Sequence, residues 1–426
     1  MSLPTASSAQ EPLAPLLTPE GLALLAAHRP AEAGSDAAAT ELTLRLRKDG
    51  HPAELVSAAV HQLRLRSRGE AKFGPFADSL FLTRAGLEQA TRLPVAARHA
   101  QRFAGAGLSS VADLGCGIGA DSLAFASLGL AVTAVEADEL TAAAATLNLM
   151  PFDDARVIHG DATTVDLEGV DGVWLDPARR DTSSSGTRRI FDPEAFSPPL
   201  SFVESLADAG REVGVKLGPG LPHTAVPENA EAVWLSDGGD VVEATMWFNR
   251  LRRPQVRRAA VVVRGNSSAE LTASTWFPGM DPEAAALVGD LLVPDGLDGL
   301  GRFLVEPDGA VIRAGLVADL AQQIGARGLD PHIAYLSCEE EPSTPLGHAY
   351  RVVQVHPLKS KHLRAWAKST GVNRLDVKKR GVDVTPEQLR REVLAGLGKN
   401  KNGRAATLIL TRVGERRAAI EVEPLG

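Results

Sequence analysis

The period of apolar and polar positions changes along the chain. Through residue 100, alanine and leucine recur at helical spacing: in PAELVSAAVHQLRLRSR, Leu55, Ala59 and Leu63 share one face and arginines occupy another. Helices are expected there. From residue 109 to 249 the pattern becomes short apolar runs, SVADLG, AVTAVEA, ARVIHGD, DGVWLDP, EVGVKLG and EAVWLS, separated by helical or turn stretches. Runs of this kind read as parallel strands covered on both faces, so an open α/β sheet is predicted. After NRLRRPQVRRAAVVV the pattern is mixed to residue 345, and AYRVVQVHP and ATLILTRV then read as strands flanking the helix-like TPEQLRREVLAGLG. The expected organisation is a helical region over 1–100, an α/β domain over 101–250, a mixed linker over 251–345 and a small α+β domain over 346–426.

Composition narrows the class. With 426 residues, 44% hydrophobic and 23% charged, the chain can bury several cores. No apolar run reaches the roughly 18 residues of a membrane span, and MSLPTASSAQEPLAPLLTPE lacks the basic-then-apolar order of a secretory leader. Cys116 and Cys338 are too few and too isolated for a disulfide framework or a zinc site. A cytoplasmic protein without membrane or metal is expected.

The net charge of −8 argues against a polyanion partner until it is divided along the chain. Residues 346–426 hold 17 Lys and Arg against 7 Asp and Glu, a net of +10, which leaves −18 for the rest. A compact segment with that excess is a candidate for polyanion binding, because each cation placed on a phosphate releases counterions.

The stretch VADLGCGIGADSLAFASLGLAVTAVEAD places Gly115, Gly117 and Gly119 where the first strand turns into a helix, at the carboxyl edge where open α/β sheets bind ligands. Glycine there permits positive φ and close passage of a ligand. Glu136 ends the next strand, at the spacing from which an acid reaches ribose hydroxyls. The turn reads G-x-G-x-G with Asp113 two residues before it. A carboxylate there repels a diphosphate and attracts an ammonium, so the nucleoside should carry positive charge. S-adenosylmethionine matches each element, and Asp161 in HGDA is placed to accept from an adenine amino group.

These residues, with Asp176-Pro-Ala-Arg-Arg180, resemble the ordered motifs of class I S-adenosylmethionine-dependent methyltransferases over residues 109–249. LTRAGLEQAT, DPARR, VGVKLGPGL and LDVKKRGVDVTPEQLRREV are similar to the subgroup with a C-terminal THUMP-like domain. The resemblance implies a Rossmann-like α/β sheet and an RNA modification enzyme whose tail holds RNA. It also implies roles: Asp113 orders the glycine loop and meets the methionine end, the three glycines let the backbone pass under the cofactor, Glu136 binds ribose and Asp161 adenine. Asp138 reads instead as a helix cap, Thr83 as another, and Cys116 as a packing residue.

Methyl transfer from a sulfonium is a direct displacement, so Asp176 and Pro177 are expected to position the acceptor. Enzymes acting on exocyclic nitrogen show Asp/Asn-Pro-Pro and an aromatic residue, whereas Ala178 and Arg179 stand at the last two places here. DPAR also looks like the motif of RNA uracil C5 methyltransferases, which use a cysteine thiolate, and neither Cys116 nor Cys338 is placed for that role. Lys216, in the apolar run VGVKLGPG, is expected at a strand end facing the site, with Asp176 as one possible partner. Arg179 and Arg180 are candidate clamps for a substrate phosphate.

In the tail, KSKHLRAWAKSTGVNRLDVKKRG combines eight Lys and Arg with Trp366. Trp366 reads as core or as a base platform. Lys378, Lys379 and Arg380 precede Gly381 and are expected to fan outward in a turn toward RNA. A small-molecule methyltransferase and a cofactor-binding protein without catalysis remain as alternatives.

Overall fold

The computed structural model describes residues 13–179, 192–274, 291–293, 296–396 and 403–425. Chain contacts divide it into two compact units: Met1–Lys216 with Phe248–Leu251, and Leu217–Trp247 with Arg252–Gly426.

Unit 1 begins with helices α1 (Pro19–Ala27), α2 (Asp36–Lys48), α3 (Ala53–Phe73), α4 (Arg84–Gln89) and α5 (Leu93–Gly105). Thr18, Ser35 and Thr83 cap α1, α2 and α4 through their side-chain oxygens, as the last was expected to do. There follow β1 (Ser110–Leu114), α6 (Ala120–Ser127), β2 (Ala131–Glu136), α7 (Glu139–Leu149), β3 (Ala155–His159) and β4 (Gly172–Leu175). Two-residue strands β5 (Ala178–Arg179) and β6 (Phe196–Ser197) pair antiparallel, and α8 (Leu200–Asp208) leads to β7 (Glu212–Leu217).

The order β7-β4-β1-β2-β3 is parallel throughout. The order reverses at β1, whose neighbours are β4 and β2. At such a switch point the loops after adjacent strands turn to opposite faces and open a crevice at the carboxyl edge. The N-terminal helices pack onto the α/β domain: Leu55, Leu63, Leu82 and Leu87 share one core with Ile118 of the glycine loop, Ala120 of α6 and Ala144 of α7.

Unit 2 contains β8 (Glu231–Asp237), β9 (Asp240–Trp247), β10 (Arg258–Arg264) and β11 (Ser267–Ala273), with β8 parallel to β10 and antiparallel to β9. Then come β12 (Phe303–Pro307), α9 (Gly309–Arg313), α10 (Val317–Gln323), β13 (Arg327–Asp330), β14 (Ile333–Cys338) and β15 (Gly347–Pro357). Helix α11 (Ser360–Thr370), β16 (Val372–Lys379), α12 (Pro386–Leu394), β17 (Arg404–Val413) and β18 (Arg416–Pro424) complete the unit. One seven-stranded sheet runs β13-β14-β12-β15-β18-β17-β16. Alternation along β17 gives it two covered faces: Leu408 and Leu410 pack with Leu363 and Trp366 of α11, while Ile409 packs with Tyr335 and Tyr350.

The chain leaves unit 1 at Lys216/Leu217, returns to it over Phe248–Leu251 and leaves it again at Arg252, and β12–β14, placed in a linker by pattern and charge, are hydrogen-bonded into the sheet that holds the basic tail. Strand pairing, which decides the boundary, leaves no mark in local charge.

Candidate functional site

A cavity of about 890 Å³ lies within unit 1, walled by the loops after β1, β2, β3 and β4 and by residues 86–91. Asp113, Gly115, Gly117, Glu136, Asp161, Asp176 and Pro177 all line it. Gly119 lies between the lining residues Ile118 and Ala120 and is the left-handed cap of α6, with φ of 86°.

The glycine loop has two physical requirements. Gly115 has φ of 91°, and a Cβ there would lie 3.0 Å from the Asp176 carbonyl oxygen, so the loop can approach the segment after β4 only without a side chain. Gly117 has φ of 57°, and the space its Cβ would enter is open. Glu136 orders this loop: its carboxylate accepts from the backbone N–H of Gly117 and of Asp138, both at 2.9 Å. That role was expected of Asp113, which instead accepts from Ser122 Oγ at 2.5 Å. Asp138 caps α7 by accepting from the Thr141 N–H, as expected.

Asp113 is fully buried, and its Oδ1 has no hydrogen-bond partner among the described residues. Burial, then the charge of Asp121, pushes its carboxyl well above the usual value, against the Ser122 hydrogen bond. An unpartnered carboxylate oxygen in a cavity wall suits a cationic ligand group, and the open space at Gly117 gives that ligand room. Asp161 accepts from the N–H and hydroxyl of Thr163, both at 2.8 Å, which aims its carboxylate along the cavity rim. Cys116 is buried, and burial followed by the charges of Asp113 and Glu136 raises its thiol pKa well above the usual value. Cys338 is pushed up to about 11 by burial and Glu339, so neither thiol is primed as a nucleophile.

Beyond β4, Lys216 emerges from β7 and its ammonium contacts the Asp176 carboxylate. The same Nζ donates to Thr91 Oγ1 at 2.9 Å, and the Thr91 hydroxyl donates to Asp121 Oδ2 at 2.7 Å. Asp121 Oδ1 accepts from His99 Nδ1 at 2.7 Å. Burial opposes the Asp121 anion, but His99, Lys216 and Thr91 hold its carboxyl below the usual value. Thr91, Asp121 and His99 were not singled out from sequence. Thr91 closes the LTRAGLEQAT stretch and Asp121 sits in the first turn after the glycines, but their meeting depends on how α5 packs against α6.

The side chain of Arg179 and the whole of Arg180 lie outside the described residues. Lys378, Lys379 and Arg380 do not fan out in a turn. The first two belong to β16, whose twofold alternation sends Lys378 and Arg380 to Glu306 and exposes Lys379. Lys378 donates to Glu306 at 2.8 Å; burial opposes its charge, but Glu306 and Tyr350 hold it above the usual lysine value. Trp366 is core, with its indole N–H on Glu421 at 3.1 Å.

Parallel order, switch point, glycine loop and paired strand-end acids define a Rossmann-like protein that binds a nucleoside cofactor. Over its full length the fold is similar to the crystal structure of a candidate methyltransferase from Porphyromonas gingivalis W83, with a TM-score of 0.68, 19% identity and coverage of 99% of this chain and 100% of that one. An uncharacterized S-adenosylmethionine-dependent methyltransferase, from two strains of Mycobacterium tuberculosis, is 30% identical over 363 residues, spanning 82% of this chain and 91% of the relative. Residues 347–424 match the THUMP domain-like family model, and residues 9–69 match a domain of unknown function. The chain belongs to the S-adenosylmethionine-dependent methyltransferases and carries a C-terminal THUMP-like domain. Its cofactor is S-adenosylmethionine. Among the described residues, no helix is long and apolar enough to cross a membrane.

Proposed function

We propose that this methyltransferase modifies RNA, with the THUMP-like region holding the nucleic acid. Helix α11 carries the reading. Lys361, Arg364 and Lys368 stand at i, i+3 and i+7 and are all exposed, while Leu363, Trp366 and Ala367 on the opposite side are buried. Among the described residues no salt bridge engages the three cations. A cationic stripe on a helix anchored by a tryptophan in the core is a rigid counterpart for a phosphate backbone. Exposed Lys379 adds to the basic surface of the unit, and Arg179 and Arg180 follow the acceptor motif, where guanidinium groups suit a substrate phosphate.

In unit 1, Asp113 would take the cofactor's ammonium, Gly115, Gly117 and Gly119 would let it lie against the backbone, Glu136 would meet the ribose and Asp161 the adenine. When bound, S-adenosylmethionine supplies a methyl group on a sulfonium, open to direct displacement. Asp176 and Pro177 then position the acceptor, and Lys216 holds the Asp176 carboxylate in place. A cysteine intermediate is not needed for this chemistry, in keeping with the two unprimed thiols. Two free, buried cysteines suit a reducing compartment, which we take to be the cytoplasm.

The test is RNA affinity over a range of potassium chloride concentrations for the wild type and for a variant with Lys361, Arg364 and Lys368 changed to alanine. Losing three phosphate contacts should flatten the dependence of log affinity on log salt by about 2, at roughly 0.7 per contact. An identical slope would remove this face from any RNA contact.

A further inference from the structure

We propose that Thr91 is the positioning residue of the transfer site: it holds the Lys216 ammonium against Asp176 and ties the acceptor motif to the buried Asp121–His99 pair. The inference rests on the reading of Asp176 and Lys216 as the pair that places the acceptor.

The contacts form a closed ring. Asp176 meets Lys216, Lys216 donates to Thr91, Thr91 donates to Asp121, and Asp121 accepts from His99. The His99 ring lies 4.3 Å from that of Trp174, which is two residues before Asp176 and fully buried in β4. The ring of contacts therefore leaves β4 at Trp174 and returns to the same strand end at Asp176. A hydroxyl has one donor and can accept twice, and Thr91 uses the donor on Asp121 and an acceptor site on Lys216. No apolar side chain of the same shape can do both.

Thr91 is itself held. It is 5% exposed, and the turn before it is gripped by Lys72 of α3, whose ammonium donates to the carbonyls of Leu87, Glu88 and Ala90 at 2.8 Å each. Among the charged groups acting on Lys216, Asp113, Asp121 and Asp176 attract it and Lys72 repels it. Three acidic side chains around a lysine with four rotatable bonds leave its direction open to choice. The Thr91 oxygen supplies the direction, so that Asp176 rather than Asp113 receives the ammonium.

The test compares Thr91→Val, Thr91→Ser and Asp176→Asn in the full chain, with Thr91→Ala in reserve should the valine chain not fold. Two readouts are taken: acetylation of Lys216 by acetic anhydride at one mildly alkaline pH, followed by peptide mass spectrometry, and methyl transfer from S-adenosylmethionine to total RNA from cells lacking the gene. In Thr91→Val the acetylation of Lys216 should quicken several-fold and kcat should fall about tenfold, the scale of one charge-assisted hydrogen bond, with KM for the cofactor nearly unchanged. Serine, which keeps the hydroxyl, should restore both. Wild-type acetylation and turnover in Thr91→Val, beside an inactive Asp176→Asn, would overturn the role of Thr91 alone. Normal turnover in Asp176→Asn would remove the acceptor reading, and this proposal with it.

Discussion

Replacing Glu136 by glutamine tests how the cofactor loop is ordered. The wild-type carboxylate accepts two backbone N–H groups, from Gly117 and Asp138, each at 2.9 Å. Hydrogen bonds to a charged acceptor contribute roughly 1.5–3 kcal/mol each. Glutamine has one acceptor oxygen, so one N–H keeps a weakened bond and the other faces an amide NH2. The loop should lose about 2 kcal/mol of order, which the ligand must restore on binding, and 1.4 kcal/mol corresponds to tenfold in affinity. The variant should therefore bind S-adenosylhomocysteine about 30-fold more weakly by titration calorimetry, from the loop alone. Hydrogen exchange at the Gly117 and Asp138 amides should accelerate without ligand, by a similar factor, while the fold is retained. A 2′-deoxy analogue separates the two roles given to Glu136: loop disorder weakens both ligands equally, whereas loss of a ribose contact weakens only the hydroxylated one. Affinity within twofold of wild type in a folded variant, with unchanged exchange at Gly117, would refute the assignment of loop order to this side chain.

Gly117→Val should abolish binding of S-adenosylmethionine and its demethylated product while leaving the melting temperature near wild type. The new side chain meets no protein atom but occupies the open cavity, at a φ of 57° that costs about 1–2 kcal/mol; unchanged calorimetric affinity would sink the cofactor assignment. Asp113→Asn should exchange cofactor affinity for stability. Burial raises the folded-state pKa of Asp113, so between the ordinary carboxylate value near 4 and that raised value the folded state holds the proton more tightly, and stability is lost as pH rises. The asparagine variant should gain in melting temperature relative to wild type as pH climbs above about 4, and it should bind S-adenosylhomocysteine more weakly; a constant difference across pH would show that Asp113 titrates normally.

Much of unit 1 was legible because its signals are local. Gly115, Gly117 and Gly119 are dictated by their own φ angles, Glu136 and Asp161 by their places at strand ends, and the caps at Thr83 and Asp138 by residue type before a helix. The meeting of Lys216 with Asp176 was one of the possibilities read from a lysine in an apolar strand, since the two charges stand at the ends of adjacent strands. Asp113 shows the limit of this approach. Its position predicted a polar duty, but only packing decided that its carboxylate turns to Ser122 and leaves the loop amides to Glu136.

The amino-acid sequence by itself determined the parallel α/β core, the cofactor turn and the basic character of the tail, because periodicity, glycine conformation and charge are properties of short segments. Tertiary structure decided which charges remain available and which elements share a sheet. Lys378 is taken up by Glu306, 72 residues away, and the Trp366 indole by Glu421, 55 residues away, so of the KKR run only Lys379 is exposed, beside Lys361, Arg364 and Lys368 of α11. Strands β12–β14 join the basic tail through a hydrogen-bonded ladder that composition does not reveal. Thr91, in the turn between α4 and α5, meets Asp121 and His99 where α5 packs against α6. Pairings of this kind are set by where the chain returns in space, and a single sequence carries that information only through the fold it forms.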